Sequence, residues 1–164
     1  MFFPRSVVRR KMQNLGLTEE QKLIRNSVRA LARERFTPGA ASADRNYCPP
    51  VGNIKQLAEY GFTGLFLPTA YGGAGLGLLE NVLVAEEIAR SCANTAMLFS
   101  CTDGATPRAI LGLGTEAQKM KYLPRIAKAE ILTARCMIGI DCVSNVGFAT
   151  CPGGKQQWLT RSEE

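Results

Sequence analysis

The sequence predicts an all-α fold: a bundle of five to six helices with an irregular C-terminal tail. Three observations predict it. Apolar residues recur at helical spacing in several stretches, no stretch alternates apolar and polar as a half-buried strand does, and short Gly- or Pro-marked connections separate the stretches. The chain has 164 residues, 46% of them hydrophobic, which suits one domain with a packed core. It lacks the continuous apolar run of about 18 residues that a membrane span needs.

Formal charge is +6, and Arg5, Arg9, Arg10 and Lys11 supply four of those charges within the first fifteen residues, which hold no acid. The basic character is mostly that of a terminal tail, residues 1–15, so no nucleic-acid surface is expected. An Arg-rich, acid-free start is also how mitochondrial transit peptides begin. A targeting segment and a plain frayed terminus are the two readings. Six cysteines, at 48, 92, 101, 136, 142 and 151, show no CxxC spacing, and there is no histidine. That argues against a zinc site and removes Ser-His and Cys-His nucleophile systems.

The first helix starts at Leu17-Thr18-Glu19-Glu20-Gln21. Thr18 is placed as N-cap and Gln21 as its reciprocal partner in a capping box, with two acids at the positive end of the helix dipole. Ile24, Val28 and Leu31 make an apolar stripe with Leu23 beside it. Arg25, Arg29, Arg33 and Arg35 read as a solvated face, and Pro38-Gly39 is expected to end the helix. After the polar connection 40–52, a second helix spans about Asn53 to Tyr60, with Gly61 placed as its C′ cap. Phe62 to Leu67 reads as apolar and extended, stopped by Pro68.

Next comes Leu65-Phe66-Leu67-Pro68-Thr69-Ala70-Tyr71-Gly72-Gly73-Ala74-Gly75-Leu76-Gly77. With Gly64 it holds five of the sixteen glycines, so the backbone bends sharply here. It lacks the GxGxxG order and any Gly-Lys-Ser/Thr, so it reads as a corner rather than a cofactor nest. Leu78 to Cys92 is an amphipathic helix with Leu78, Leu79, Val82, Leu83, Ala85, Ile88 and Ala89 inward and Glu80, Glu86, Glu87 and Arg90 outward. The adjacent Glu86 and Glu87 do not face each other on a helix and read as a solvated edge.

Asn94 or Thr95 is expected to cap a helix that runs to about Leu111, rich in small and apolar residues and charged only at Asp103 and Arg108. Pro107 should kink or split it. Thr115-Glu116-Ala117-Gln118 opens another helix with a second capping box. There Met120, Leu123 and Ile126 read as buried, Lys119, Lys121, Arg125 and Lys128 as exposed, and Pro124 as an interruption. The last coherent segment is Ala129 to Ile138. Residues 139–164 show no helical period.

These residues also carry a likeness. The order Leu17-Thr18-Glu19-Glu20-Gln21, Leu57-Ala58-Glu59-Tyr60-Gly61-Phe62, Leu67-Pro68-Thr69-Ala70-Tyr71-Gly72-Gly73-Ala74-Gly75, Glu86-Glu87-Ile88-Ala89-Arg90 and Gly114-Thr115-Glu116-Ala117-Gln118-Lys119-Met120-Lys121-Tyr122-Leu123-Pro124 resembles the N-terminal helical domain of the acyl-CoA dehydrogenases. The likeness covers Leu15 to about Ile138, giving a domain at 16–138. It implies FAD-dependent oxidation of the Cα–Cβ bond of an acyl-CoA thioester. In that family a carboxylate in a C-terminal helical domain takes the α-proton, flavin N5 takes the β-hydride, and a middle β-domain makes most flavin contacts. It leaves a mitochondrial matrix or a bacterial cytoplasm as the compartment.

By that likeness the small-residue helix lines the acyl tunnel. Leu98, Cys101, Thr102 and Ala105 follow at i, i+3, i+4 and i+7 and are the candidate acyl-pocket residues. Ordinary core packing is the other reading of the same four. No catalytic residue, cofactor-binding residue or metal ligand is assigned. After Met137 the family's Thr-Glu-Pro…Gly-Ser-Asp loop is replaced by Ile138-Gly139-Ile140-Asp141-Cys142-Val143, so 139–164 reads as unrelated sequence joined at a break. The expectation is a catalytically incomplete relative; the alternative is a helical module or fragment that associates with full-length acyl-CoA dehydrogenases.

Overall fold

The computed structural model describes residues 16–134. Helices account for most of them, and they form five rods among the described residues. The first rod joins α1 (Glu19–Leu31), a π turn (Ala32–Phe36) and α2 (Thr37–Arg45). The second is α3 (Val51–Glu59) and the third α4 (Leu78–Ser91). The fourth joins α5 (Ala93–Phe99), a second π turn (Ser100–Ala105) and α6 (Thr106–Leu113), and the fifth is α7 (Glu116–Ala127). The expected all-α class and helix number hold. The segment expected at Ala129 to Ile138 is non-helical through Ala134; its remainder, the 1–15 tail and 139–164 lie outside the described residues.

Local sequence accounts for the helix ends. Thr18 Oγ1 accepts from the Gln21 N–H at 3.2 Å while the Gln21 side chain accepts from the Thr18 N–H at 3.0 Å. Thr115 and Gln118 repeat the arrangement at the start of α7. At the end of α3, Gly61 takes φ 74°, the Phe62 N–H bonds the Leu57 carbonyl at 2.7 Å, and the Gly61 N–H bonds the Ala58 carbonyl. That is the Schellman pattern expected of Gly61. Asn94 and Thr95 do not cap α5. Cys92 does, and Thr95 is buried inside the helix, accepting from Asn53 Nδ2 at 2.8 Å.

Pro38 and Pro124 behave differently from expectation. The first rod does not stop at Pro38-Gly39 but continues to Arg45. A π turn ends just before Pro38, as another ends just before Pro107. A π turn shifts the hydrogen-bond register by one residue, so the carbonyl the proline ring would strike is already displaced. Pro124 lies within α7 without breaking it, one turn from the helix end. Pro107 thus splits the fourth rod as expected, into α5 and α6 joined by a π turn.

The main core joins Val28, Ala32, Phe36, Ile54, Leu57, Leu65, Val84, Ile88, Cys92, Ala96, Phe99 and Ala129. A second cluster of Leu67, Leu123, Ile126 and Ala127 lies under the Gly-rich corner. Phe62 to Leu67 is a run of turns rather than an extended segment. Met120, expected inside, is 58% exposed. On α4 the buried face is Leu83, Val84, Glu87 and Ile88, whereas Leu78, Leu79 and Val82 remain about half exposed. Among the described residues no helix is long and apolar enough to cross a membrane.

α1 and α4 run parallel. Gln21 Nε2 donates to Glu80 Oε1 at 2.7 Å, and one turn-pair further on Arg29 Nε and Nη2 donate to Glu87 Oε2 and Oε1 at 2.9 and 2.6 Å. Glu87 is therefore no solvated edge: it is 2% exposed and held by a two-pronged guanidinium. The Arg29 hydrogen bonds hold its carboxyl below the ordinary glutamate range, against burial.

Candidate functional site

The second π turn is the point where the chain's polar groups converge. Such a turn, followed by a proline without an N–H, leaves carbonyls without helical partners. Two of them find partners from elsewhere. The Cys101 carbonyl accepts from Thr133 Oγ1 at 2.8 Å, and the Asp103 carbonyl accepts from Asn81 Nδ2 at 3.3 Å.

The Asp103 side chain is fully buried. Its Oδ1 accepts from the Gly64 N–H at 2.5 Å and its Oδ2 from Asn81 Nδ2 at 2.8 Å. Among the described residues no cation contributes. Burial pushes the carboxyl up to about 7, against the pull of the Gly64 and Asn81 donors toward the charged form. The node therefore ties α4, the π turn and the corner together through one carboxyl. The corner is tied on its other side by Thr63 Oγ1, which donates to the Ala127 carbonyl at 2.6 Å. Gly64 sits at φ 64°, and a Cβ there would come within 2.8 Å of Ala127 Cβ, so only glycine fits between Asp103 and α7.

The residues expected to line an acyl pocket are divided by this turn. Leu98 and Cys101 share the wall of a depression of about 410 Å³, whose other wall is the loop after α2, with Tyr47, Cys48, Pro49 and Pro50. Thr102 is fully buried, its hydroxyl without a hydrogen-bond partner among the described residues, and Ala105 is half-buried at the end of the turn. Neither belongs to that lining. The i, i+3, i+4, i+7 spacing describes a regular α-helix; a π turn inserts a residue and rotates the later positions to another face. Asp103, the centre of the node, reads in the sequence only as a charge in an apolar helix. The signal is present nonetheless: a lone acid in such a helix must find buried donors.

The Gly-rich corner also resolves. Its N–H groups bond within the chain: Gly72 to the Thr69 carbonyl, Gly73 to Pro68, Ala74 to Gly64, Gly75 to Leu67 and Leu76 to Leu65. A Cβ on Gly73 would run into the Leu67 carbonyl. With its donors engaged, the corner does not fit the pyrophosphate of a dinucleotide such as FAD. Tyr71 Oη donates outward, to Glu116 Oε2 at 2.9 Å.

Residues 18–130 match the family described as acyl-CoA dehydrogenase, N-terminal domain. The chain is 36% identical over 121 residues to the short-chain-specific acyl-CoA dehydrogenase of Clostridium acetobutylicum, covering 74% of this chain and 32% of that protein. It is 37% identical over 163 residues to the mitochondrial isovaleryl-CoA dehydrogenase of Bos taurus, covering 91% of this chain and 38% of that one. Among solved structures, an acyl-CoA dehydrogenase complexed with FAD from Bacillus anthracis superposes with a TM-score of 0.74 at 27% identity, over 81% of this chain and 23% of that one. The chain spans about a third of the length of the curated relatives it matches. The profile match, the identity and the shared helical architecture together place this chain in the acyl-CoA dehydrogenase family, as its N-terminal helical domain.

Proposed function

We propose that this chain supplies one helical wall of the acyl site in a flavin-dependent oxidation of the Cα–Cβ bond of acyl-CoA thioesters. Leu98 and Cys101 are the residues assigned to contact the acyl chain. The observation that carries this is the depression they share: a concave, largely apolar space opposite Pro49 and Pro50, suited to an aliphatic group. Thr102 and Ala105 lie beyond the lining and join the wall through the family likeness alone. FAD supplies the hydride acceptor that no side chain can be. The N–H groups of Gly72 to Leu76 are engaged within the chain, so we assign flavin binding to none of them. We assign the proton-abstracting carboxylate to no residue of the matched segment, 18–130.

Alkylation of Cys101 tests the contact. Octanoyl-CoA is expected to slow its reaction with N-ethylmaleimide several-fold, whereas free coenzyme A leaves it unchanged, with exposed Cys48 and buried Cys92 followed in the same digest. Equal rates with and without octanoyl-CoA would remove the acyl-wall assignment. Flavin absorbance and acyl-CoA-dependent dye reduction test that assignment; turnover by residues 1–164 alone would overturn it.

A second reading, a module that associates with full-length relatives, is favoured by α4. Leu78, Leu79 and Val82 lie 50, 44 and 50% exposed on one side of that helix, the kind of apolar face another protein surface covers. Co-purification with a full-length dehydrogenase, lost when Leu79 and Val82 become serine, is its expected signature.

A further inference from the structure

The same depression has a property that acyl contact does not use. Two of its lining residues are cysteines from different parts of the chain. Cys48 stands on the loop after α2 and Cys101 on the second π turn, and both are free thiols. Met97 adds a third sulfur to the lining. Cys48 is exposed and open to reagents, whereas Cys101 is half-buried.

We propose that Cys48 and Cys101 are a modification site: a thiol pair that low-molecular-weight disulfides oxidise to an intramolecular bridge closing the depression.

The accessible thiol reacts first. The Cys48 thiolate attacks one sulfur of the incoming disulfide, forming a mixed disulfide and releasing one thiolate. The Cys101 thiolate then attacks the Cys48 sulfur and releases the second. Two protein thiols are oxidised to one disulfide and one small disulfide is reduced to two thiols, so electrons and protons balance. The required approach falls on the loop rather than the helices. Tyr47 beside Cys48 is 94% exposed and holds φ 51°, left-handed for a residue with a side chain. The Tyr47 side chain therefore does not hold the loop away from the π turn, and the Cys48 N–H bond to the Ala43 carbonyl at 3.1 Å is the tie that movement would have to bend or break. Cys101 is anchored, its carbonyl bonded to Thr133. The bridge would join two walls 53 positions apart in sequence and deny the depression to any ligand, whether or not that ligand is an acyl chain.

The experiment is a redox titration of the full chain in glutathione buffers, quenched with N-ethylmaleimide and mapped by mass spectrometry. The expected product is one disulfide between the Cys48 and Cys101 peptides, with Cys92 unmodified. Cys101→Ser should instead accumulate a lasting glutathione adduct on Cys48, and Cys48→Ser should leave Cys101 largely reduced. A Cys136→Ser/Cys142→Ser/Cys151→Ser variant should form the same bridge. An unresolved Cys48 adduct in the wild type would overturn the proposal. So would pairing of Cys48 with any other cysteine, or bridging no faster than the alkylation of Cys92. Protection of Cys101 by octanoyl-CoA is read separately under reducing conditions, so failure of either idea leaves the other standing.

Discussion

Glu87 and Asp103 are both buried carboxyls, and their surroundings drive them in opposite directions. Glu87 meets a guanidinium through two hydrogen bonds and is held ionised. Asp103 meets only an amide N–H and an asparagine, and burial pushes it up to about 7. Asp103 is the more deeply desolvated and has no cation beside it among the described residues, whereas Glu87 has a guanidinium, and both differences decide which form each keeps. The α1–α4 contact is consequently a permanent ionic clamp, while the node beneath the Gly-rich corner answers to pH near neutrality.

The largest effect expected is the pH response of the node. Asp103 binds its proton at about 7 folded and near the ordinary 3.8 unfolded, so between those values the native state holds more protons. Stability contributed by the neutral carboxyl is fully present below pH 4 and is lost as pH rises through 7. A rise from 3.8 to about 7 corresponds to about 4 kcal/mol. Urea unfolding at pH 4 and pH 8 should show the drop, and Asp103→Asn should flatten it. Glu87 acts with the opposite sign. Its stabilisation is present above the ordinary glutamate value and fades as pH falls through its lowered folded value. Together they place maximum stability near pH 4, between the fading of the Glu87 contribution below it and the loss of the Asp103 contribution above it. A wild-type curve that rises from pH 4 to 8 would break the contrast.

Arg29→Met attacks the other side. It leaves Glu87 buried without its hydrogen-bonded counter-ion, which costs about 3 kcal/mol, and it should raise the Glu87 carboxyl, since burial then acts without the opposing Arg29 hydrogen bonds. Arg29→Met with Glu87→Met should recover much of the loss, because the paired methionines bury no charge. A denaturation midpoint unchanged in the single variant would show that solvent reaching the third-exposed Arg29 side chain already screens the clamp.

Gly64→Ala tests the backbone donor of the node. The substitution combines left-handed strain with the approach to Ala127 Cβ, about 2 kcal/mol together. Adding Ala127→Gly should relieve the approach and leave the strain, so the double-variant cycle separates them by calorimetry. Equal loss in single and double variants would assign the whole cost to φ.

These two carboxyls also mark how far the sequence can be read. The capping boxes at Thr18 and Thr115, the Gly61 cap and the corner at Gly72–Gly77 are legible because each is a local rule with its residues in place. So is the family, through the order of its motifs. Glu87 is not, because its helical neighbour Glu86 is partly solvated, and nothing local says which way each of two adjacent acids faces; Arg29, 58 positions away, decides it. The spacing of Leu98, Cys101, Thr102 and Ala105 assumes a regular α-helix, and the π turn that divides the four is announced by no periodicity. The continuation of the first rod past Pro38 is hidden for the same reason: the register shift that accommodates the proline is a backbone adjustment rather than a residue pattern.

The smallest expected effect refines the clamp. Thr18→Ala removes the hydroxyl that accepts from the Gln21 N–H and frees Gln21, whose own amide donates to Glu80. Loss of an N-cap costs about 1 kcal/mol. Thr115→Ala removes the same kind of cap from α7, where the Gln118 side chain closes its own box. If the box at Thr18 also orients Gln21 toward Glu80, its removal should weaken the α1–α4 contact as well as the helix end. The Thr18→Ala loss should then exceed the Thr115→Ala loss and shrink in the background Glu80→Ala, while Thr115→Ala is indifferent to that background. Identical losses in all backgrounds would confine the box to its own helix and leave Arg29 and Glu87 as the polar contact that holds α1 against α4.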